Sequence, residues 1–193
     1  MTVMEMADLG KMGGVAVLAL SAFGSALGAG AAAPAAIGVW KKSYAQNKTP
    51  PFMLLAFIGM PLSQMIYGMI VMNRIATLCD LNTYLPKEII ATAKQLSEAA
   101  NMPDWLTYVP AEAMQHAMSA LETAANNWHA LLGIGIFGGL AMGASAWMQG
   151  RAAAAAADAL AETGQGAGNY LMALGIIETV AIFVLVFIGR VLG

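Results

Sequence analysis

Four long apolar runs follow one another along the chain, separated by two short polar links and one longer polar segment. Each run reaches the ~20 residues that a helix needs to cross roughly 30 Å of hydrocarbon. The pattern therefore predicts an all-α membrane protein with four transmembrane helices. The runs cover about residues 12–40, 52–73, 128–150 and 168–192.

The connections between the runs predict two tandem helical hairpins. The first two runs are joined by KKSYAQNKTPP and the last two by TGQGAGN, whereas the middle pair is separated by a long polar excursion. We therefore divide the chain into four parts. They are an N-terminal leader (1–11), a first transmembrane hairpin (12–74), an extramembrane, helical insertion (75–127) and a second transmembrane hairpin (128–193).

Charge predicts the orientation of the hairpins. The first link carries Lys41, Lys42 and Lys48 without an acid, so the positive-inside rule places it in the cytoplasm. The insertion is net negative and belongs on the other side. Within it, Pro86 and Pro110 stand where helices should begin. The helical period after Pro110 continues towards the third run, so we expect the third transmembrane helix to extend out of the bilayer.

Small residues mark the first and third helices as closely packed ones. Gly24 and Gly28 in the first helix, and Gly135, Gly139 and Gly143 in the third, recur every four residues along one helix face. Such faces let two helix backbones approach closely, which contact with lipid does not require.

One acid, Glu178, lies in the middle of the last apolar run. An ionised carboxylate at that depth would cost at least ~2.5 kcal/mol, so it should be protonated, paired with a cation or turned towards protein. An intramembrane carboxylate marks a candidate functional site, although a neutral Glu bonded to a neighbouring helix would also fit.

The second helix carries a polar face that can meet this acid. Met60, Ser63, Gln64 and Tyr67 have the spacing i, i+3, i+4, i+7 and share one side of a helix. Pro61 removes one backbone donor, so an upstream carbonyl has no helical partner.

Oxygen donors near one depth suggest a cation site. Ser63 and Gln64, Gln149 of the third helix and Glu178 of the fourth offer hydroxyl, amide and carboxylate oxygens. One carboxylate among neutral oxygens suits a hard monovalent cation such as sodium, whereas a proton needs little more than the acid. Tyr67 can donate a hydrogen bond to Glu178.

The two hairpins also look like an internal repeat, since each pairs a Gly/Ala-rich helix with a more aliphatic one. Gly30 corresponds to Gly150 and Gln64 roughly to Glu178. The first hairpin thus has an amide where the second has its acid.

Composition excludes several other classes. The chain is 59% hydrophobic and 10% charged with a mean hydropathy of +0.67, values of an integral membrane protein. The net charge of −2 and the lack of a basic tract argue against nucleic acid. A single cysteine, Cys79, forms no internal disulfide, and the isolated His116 and His129 suggest no metal pair. Glu5 and Asp8 stand where a secretion signal would carry positive charge, so we expect no signal peptide.

These motifs resemble the membrane-rotor (proteolipid, c or K) subunit of V-type rotary ATPases, in the fused four-helix form. The resemblance covers residues 12–74 and 128–192. It is strongest in the Pro-x-Ser-Gln-x-x-Tyr-Gly string of residues 61–68, in Gln149-Gly150-Arg151 and in Glu178-Thr179. The insertion departs from the family, whose second and third helices are usually joined by a short loop. It suggests an added rim on the ring.

The resemblance implies both a site and a mechanism. In sodium-transporting members the ligands would be the Met60 carbonyl, Ser63, Gln64, Gln149 and Glu178, with Tyr67 closing the site and no organic cofactor. Identical copies would form a ring in lipid, in a bacterial or archaeal cell membrane. The ring would turn past a stator subunit with an essential Arg and would join the central stalk of a soluble ATPase head. This chain, which lacks a phosphate-binding glycine loop, would have no catalytic residues of its own.

Three alternatives stay open. The same rotor could carry H⁺ in place of Na⁺. A small four-helix proton-coupled transporter also fits an internal repeat with one membrane acid, although Glu178 lacks the neighbouring aromatic residues that an organic cation prefers. A purely structural four-helix protein fits the glycine faces but leaves the polar residues unexplained.

Overall fold

The computed structural model describes residues 1–102 and 104–193 and is almost wholly helical. Three short 3-10 helices lie between the α-helices, at Met60–Leu62, Leu81–Tyr84 and Trp105–Tyr108. The α-helices are α1 (Val3–Ala45), α2 (Leu54–Gly59), α3 (Ser63–Leu78), α4 (Lys87–Ala99), α5 (Ala111–Ala125), α6 (Trp128–Thr163) and α7 (Ala167–Val191).

Four helical segments are long and apolar enough to cross a membrane, which confirms the predicted all-α membrane class. They are α1, the continuous stretch from α2 to α3, α6 and α7. Among them α7 is the most apolar and the least buried within the chain, so most of its surface is available to lipid or to another protein. Gly164 and Gly166, both with positive φ, form the tight turn between α6 and α7.

Helix α1 begins earlier than its apolar run. The Thr2 side chain accepts a hydrogen bond from the Glu5 amide at 3.2 Å, and the Glu5 carboxylate accepts one from the Thr2 amide at 2.8 Å. This reciprocal capping box satisfies two free backbone donors and starts the helix at Val3. Residues 3–11 of the expected leader are therefore the first part of α1, and the helix continues past Trp40 to Ala45.

The expected second helix is divided at Pro61. Because proline has no amide hydrogen, the α-helical ladder is interrupted, and residues 60–62 take a 3-10 turn between α2 and α3. Ser63, the first residue of α3, donates its hydroxyl to the Met60 carbonyl at 3.0 Å. The interruption thus lies at the polar face that the sequence singles out.

The insertion forms a helical cap in which Pro86 and Pro110 immediately precede α4 and α5. The prediction that the third transmembrane helix extends outward through residues 111–127 is wrong, because α5 and α6 are separate helices. Asn127, between them, has non-helical backbone angles (φ −99°, ψ 16°), and its side chain donates to the Thr123 carbonyl at 2.9 Å. Asparagine competes for backbone partners in this way and favours helix ends.

The cap shares a hydrophobic core with the membrane helices. Leu121 of α5 and Leu131 of α6 are buried in one cluster with Ala7 of α1 and Cys79. Burial raises the pKa of the Cys79 thiol, and nearby Lys11 only partly opposes this effect. The cap is therefore part of the folded unit and not a flexible appendage.

Glycine lets α1 and α6 approach to backbone contact along most of their length. A Cβ at Gly24 would clash with the Gly143 backbone, and one at Gly150 with the Gly28 backbone. Farther towards the cap, a Cβ at Gly135 would meet the Gly13 carbonyl oxygen. These two helices form the central layer, and α2, α3 and α7 pack against it.

Candidate cation site

The polar residues of the second transmembrane segment are arranged around the Pro61 interruption. Ser63 Oγ lies 3.0 Å from the Met60 carbonyl oxygen and 3.2 Å from Gln64 Oε1, so its one hydrogen can be donated to either acceptor. Gln64 is completely buried, whereas Ser63 and Met60 are half-buried. Three neutral oxygens therefore converge at the end of the 3-10 turn.

A buried pair of amides connects this turn to α6. Gln64 Nε2 donates to Gln149 Oε1 at 2.9 Å, and Gln149 Nε2 donates to the Leu174 carbonyl of α7 at 3.0 Å. Both glutamines are completely inaccessible to solvent. Gln149 Oε1 accepts the bond from Gln64, and Gln64 Oε1 lies beside Ser63 Oγ, so each amide oxygen keeps a second lone pair beyond that contact.

Tyr67 connects α3 directly to the acid. Its hydroxyl donates to Glu178 Oε1 at 2.7 Å, the short distance typical of a hydrogen bond to a carboxylate. Leu174, which accepts from Gln149, lies one helical turn before Glu178 on the same face of α7. Glu178 is half-buried, with one oxygen held by Tyr67.

Within residues 1–102 and 104–193, the one salt bridge joins Lys11 and Asp8, and Glu178 has no cationic side-chain partner. Arg151, two residues after Gln149, lies over the Trp147 ring, 5.8 Å from its centroid. An ionised Glu178 at mid-membrane depth would thus be uncompensated by this chain. The geometry suits a carboxyl group that is neutralised by a proton or by a bound cation.

The structure brings the predicted polar site residues into two neighbouring hydrogen-bonded groups. Ser63, Gln64 and Gln149 lie in one chain of contacts that runs from the Met60 carbonyl to the Leu174 carbonyl. The Tyr67–Glu178 bond lies one helical turn farther along both α3 and α7. Sequence reasoning missed Ser145, which donates to the Ile177 carbonyl next to Glu178 at 3.0 Å. Its position one turn before Gln149 was the available signal.

Comparison with known proteins finds a match for the part of the site that lies on α6 and α7. Residues 132–188 match the sequence model of the family of ATP synthase C subunits. The matched range is under a third of the chain and contains Gln149 and Glu178, but not the first hairpin or the cap. No curated protein and no solved structure matches the chain.

The fold and the matched range together support one class of protein. This class is the rotor-ring subunit of an ATP synthase, an ion-translocating membrane protein without a catalytic site of its own that assembles as a ring of copies. The four apolar helices agree with an integral, multi-pass membrane protein.

Proposed function

We propose that this chain is the Na⁺-carrying rotor-ring subunit of a V-type ATPase or ATP synthase, in the fused four-helix form. Each copy would carry one ion on Glu178. The observation that supports this most strongly is the buried Ser63–Gln64–Gln149 chain beside the Tyr67–Glu178 bond. The ring would have α1 and α6 at its inner radius, where small residues permit crowding, and α3 and α7 outside.

The donor set favours sodium over a proton. The Met60 carbonyl, the Ser63 hydroxyl, and the Gln64 and Gln149 amides are neutral oxygen ligands in the helical turns next to the Tyr67–Glu178 bond. Hard cations prefer oxygen ligands, and one carboxylate neutralises one monovalent charge. With the cation bound, Glu178 would carry no net charge past lipid; without it, the carboxylate would be costly at this depth. If the ring carried protons, the two buried glutamines would serve only to join the helices by hydrogen bonds.

Rotation would couple ion flow to ATP chemistry in other subunits. A stator subunit would present an Arg that displaces the ion from Glu178 between two access paths, and the cytoplasmic ends of the helices would contact the central stalk. By the positive-inside rule, the Lys-rich link of residues 41–51 and the turn before α7 would lie at that end. A bacterial or archaeal cell membrane remains the proposed location.

Sodium protection from carbodiimide labelling tests the cation assignment. Carbodiimides attack a protonated carboxyl, so a bound cation should slow the labelling of Glu178 in the purified ring. We expect protection by sodium but not by choline at equal ionic strength. Gln149→Leu removes one buried ligand oxygen and should raise the sodium concentration for half-protection by about fivefold or more, since the loss of a hydrogen-bonding group in a buried site costs about 1–3 kcal/mol.

Labelling that follows pH and ignores sodium would overturn the sodium assignment and favour a proton-carrying ring.

The size of the same purified particle tests the ring itself. A large detergent-resistant assembly supports the rotor, whereas a monomer or dimer would favour the small proton-coupled transporter.

We propose that the cap forms a rim that stabilises the ring on the non-cytoplasmic side. Cys79 and Trp128 both lie beside Gly10, so the ends of the cap are close enough for a short linker. Replacing residues 80–126 by such a linker should lower the temperature at which the ring dissociates, because buried residues such as Leu131 lose their cover. Exposing one such leucine costs about 1.5–3 kcal/mol.

The same deletion should leave sodium protection of Glu178 unchanged, because no cap residue contacts the cluster among the described hydrogen bonds. A deletion ring that dissociates at the same temperature as the wild-type ring would contradict this assignment. So would an assembled deletion ring that has lost its affinity for sodium.

A further inference from the structure

Helix α7 is attached to α6 by two polar contacts next to the acid. Ser145 Oγ donates to the Ile177 carbonyl at 3.0 Å, and one turn later Gln149 Nε2 donates to the Leu174 carbonyl at 3.0 Å. Ser145 is only 6% exposed. A helical serine commonly bonds back to a carbonyl of its own helix, as Ser21 does with Leu18. Ser145 instead uses its one donor on another helix.

Few side chains of α7 are fully buried. Only Leu174 and Ala181 are buried in the described part of the chain, and Val184, Leu185 and Ile188 pack against the core while staying partly exposed. Contact with lipid is about as favourable for apolar side chains as contact with another helix, so apolar packing specifies the register of such a helix only in part. Directional hydrogen bonds to α6 therefore contribute to that register.

The position of the Ser145 bond matters for the acid. The Ile177 carbonyl belongs to the peptide plane that also contains the Glu178 nitrogen and Cα. A bond to this carbonyl fixes that plane, and with it the direction from which the Glu178 side chain leaves the helix. The Tyr67 bond to Glu178 at 2.7 Å requires that direction.

The internal repeat supplies a comparison within the same chain. The offset that relates Gly30 to Gly150 also relates Ser25 to Ser145, within the strings SALGAG and SAWMQG. Ser25 is 1% exposed, yet its hydroxyl has no hydrogen-bond partner among the described residues. The hairpin with Gln64 thus lacks the inter-helix bond that the hairpin with Glu178 makes.

We infer that Ser145 is a positioning residue for the ion carrier. By holding the Ile177–Glu178 peptide, its hydroxyl keeps the carboxylate in register with Tyr67 and with the glutamine oxygens. This inference rests on the proposed function, in which Glu178 carries the ion, but it concerns how the carrier is held and not which ion it carries.

The test compares Ser145→Ala with the matched control Ser25→Ala in the purified, full-length ring. Both changes remove one buried hydroxyl of a small-residue helix, but only the first removes a hydrogen bond. Ser145→Ala should raise the sodium concentration that half-protects Glu178 from carbodiimide by about two- to tenfold, the range for one hydrogen bond. Ser25→Ala should leave it unchanged.

A cycle with Tyr67→Phe separates positioning from general structural damage. If Ser145 acts by presenting Glu178 to Tyr67, the double variant should lose less than the product of the two single losses. Equal losses in Ser145→Ala and Ser25→Ala would overturn the inference, as would multiplicative effects in the cycle.

Failure of the sodium assignment would be distinguishable. If labelling of the wild-type ring ignores sodium, the rate of Glu178 labelling at fixed pH replaces half-protection as the measurement. Positioning in a proton-carrying ring is supported if Ser145→Ala changes this rate, Ser25→Ala does not, and the effect of Ser145→Ala depends on Tyr67. Identical rates in the wild-type, Ser145→Ala and Ser25→Ala rings would overturn the inference.

Discussion

Glu178→Gln should abolish both carbodiimide labelling and cation binding in the assembled ring. The amide keeps the shape of the carboxyl group and can still accept the Tyr67 hydrogen bond, so the fold should be retained. It has no negative charge to neutralise a cation and no reactive carboxyl. Labelled peptides from α7, detected by mass spectrometry, and binding of radioactive sodium should both fall to background.

Glu162→Gln is the matched control for this experiment. Glu162 is an exposed acid near the end of α6, outside the cluster, so its replacement should change neither measurement. Sodium binding that survives in Glu178→Gln would show that another group carries the ion, and the proposed role of this carboxylate would be abandoned.

Gly135→Ala should destabilise the protein more than any other single methyl group added to α6 near the cap. The new Cβ would meet the backbone carbonyl of Gly13 in α1, and a backbone cannot rotate away as a side chain can. The two helices would have to separate. Overpacking of this kind costs about 1–3 kcal/mol, and often more where backbone is the obstacle. The thermal unfolding midpoint in detergent measures the loss.

Gly133→Ala provides the comparison, since Gly133 lies two residues away in α6. Among the described residues, and apart from the neighbouring backbone of α6 itself, no heavy atom lies within 4 Å of the position that its Cβ would take. Alanine there should be neutral or slightly stabilising, because it favours the helix over glycine by about 1 kcal/mol. A similar loss in both variants would assign the effect to something other than the α1–α6 contact.

Sequence alone predicted most of the architecture because membrane helices are recognisable from length and hydropathy. It was less exact at the helix ends. We expected residues 1–11 to be a leader separate from the first helix, but a capping box between Thr2 and Glu5 starts α1 at Val3. The run from Pro110 to the third helix keeps a helical period, yet Asn127 ends that continuity because its side chain bonds to local backbone. The spacing of hydrophobic residues gives little information about side chains that hydrogen-bond to nearby backbone and so start or end a helix.

The candidate site divides in the same way. Helical spacing was sufficient to put Met60, Ser63, Gln64 and Tyr67 on one face, since residues three and four apart are neighbours on any helix. It could not give the partners between helices. The Gln64–Gln149 bond joins residues 85 apart, and the Tyr67–Glu178 bond joins residues 111 apart. Ser145 was missed because a serine in a Gly/Ala-rich helix resembles its small neighbours until its acceptor is known.

The sequence by itself therefore determined four membrane spans in two hairpins and a single intramembrane acid, because burial in lipid requires long apolar helices and makes one carboxylate conspicuous. Only the tertiary structure decided which oxygens converge with that acid and which serine holds its helix. Those contacts depend on the relative rotation and register of helices far apart in the chain, and glycine faces that allow several close approaches do not specify one of them.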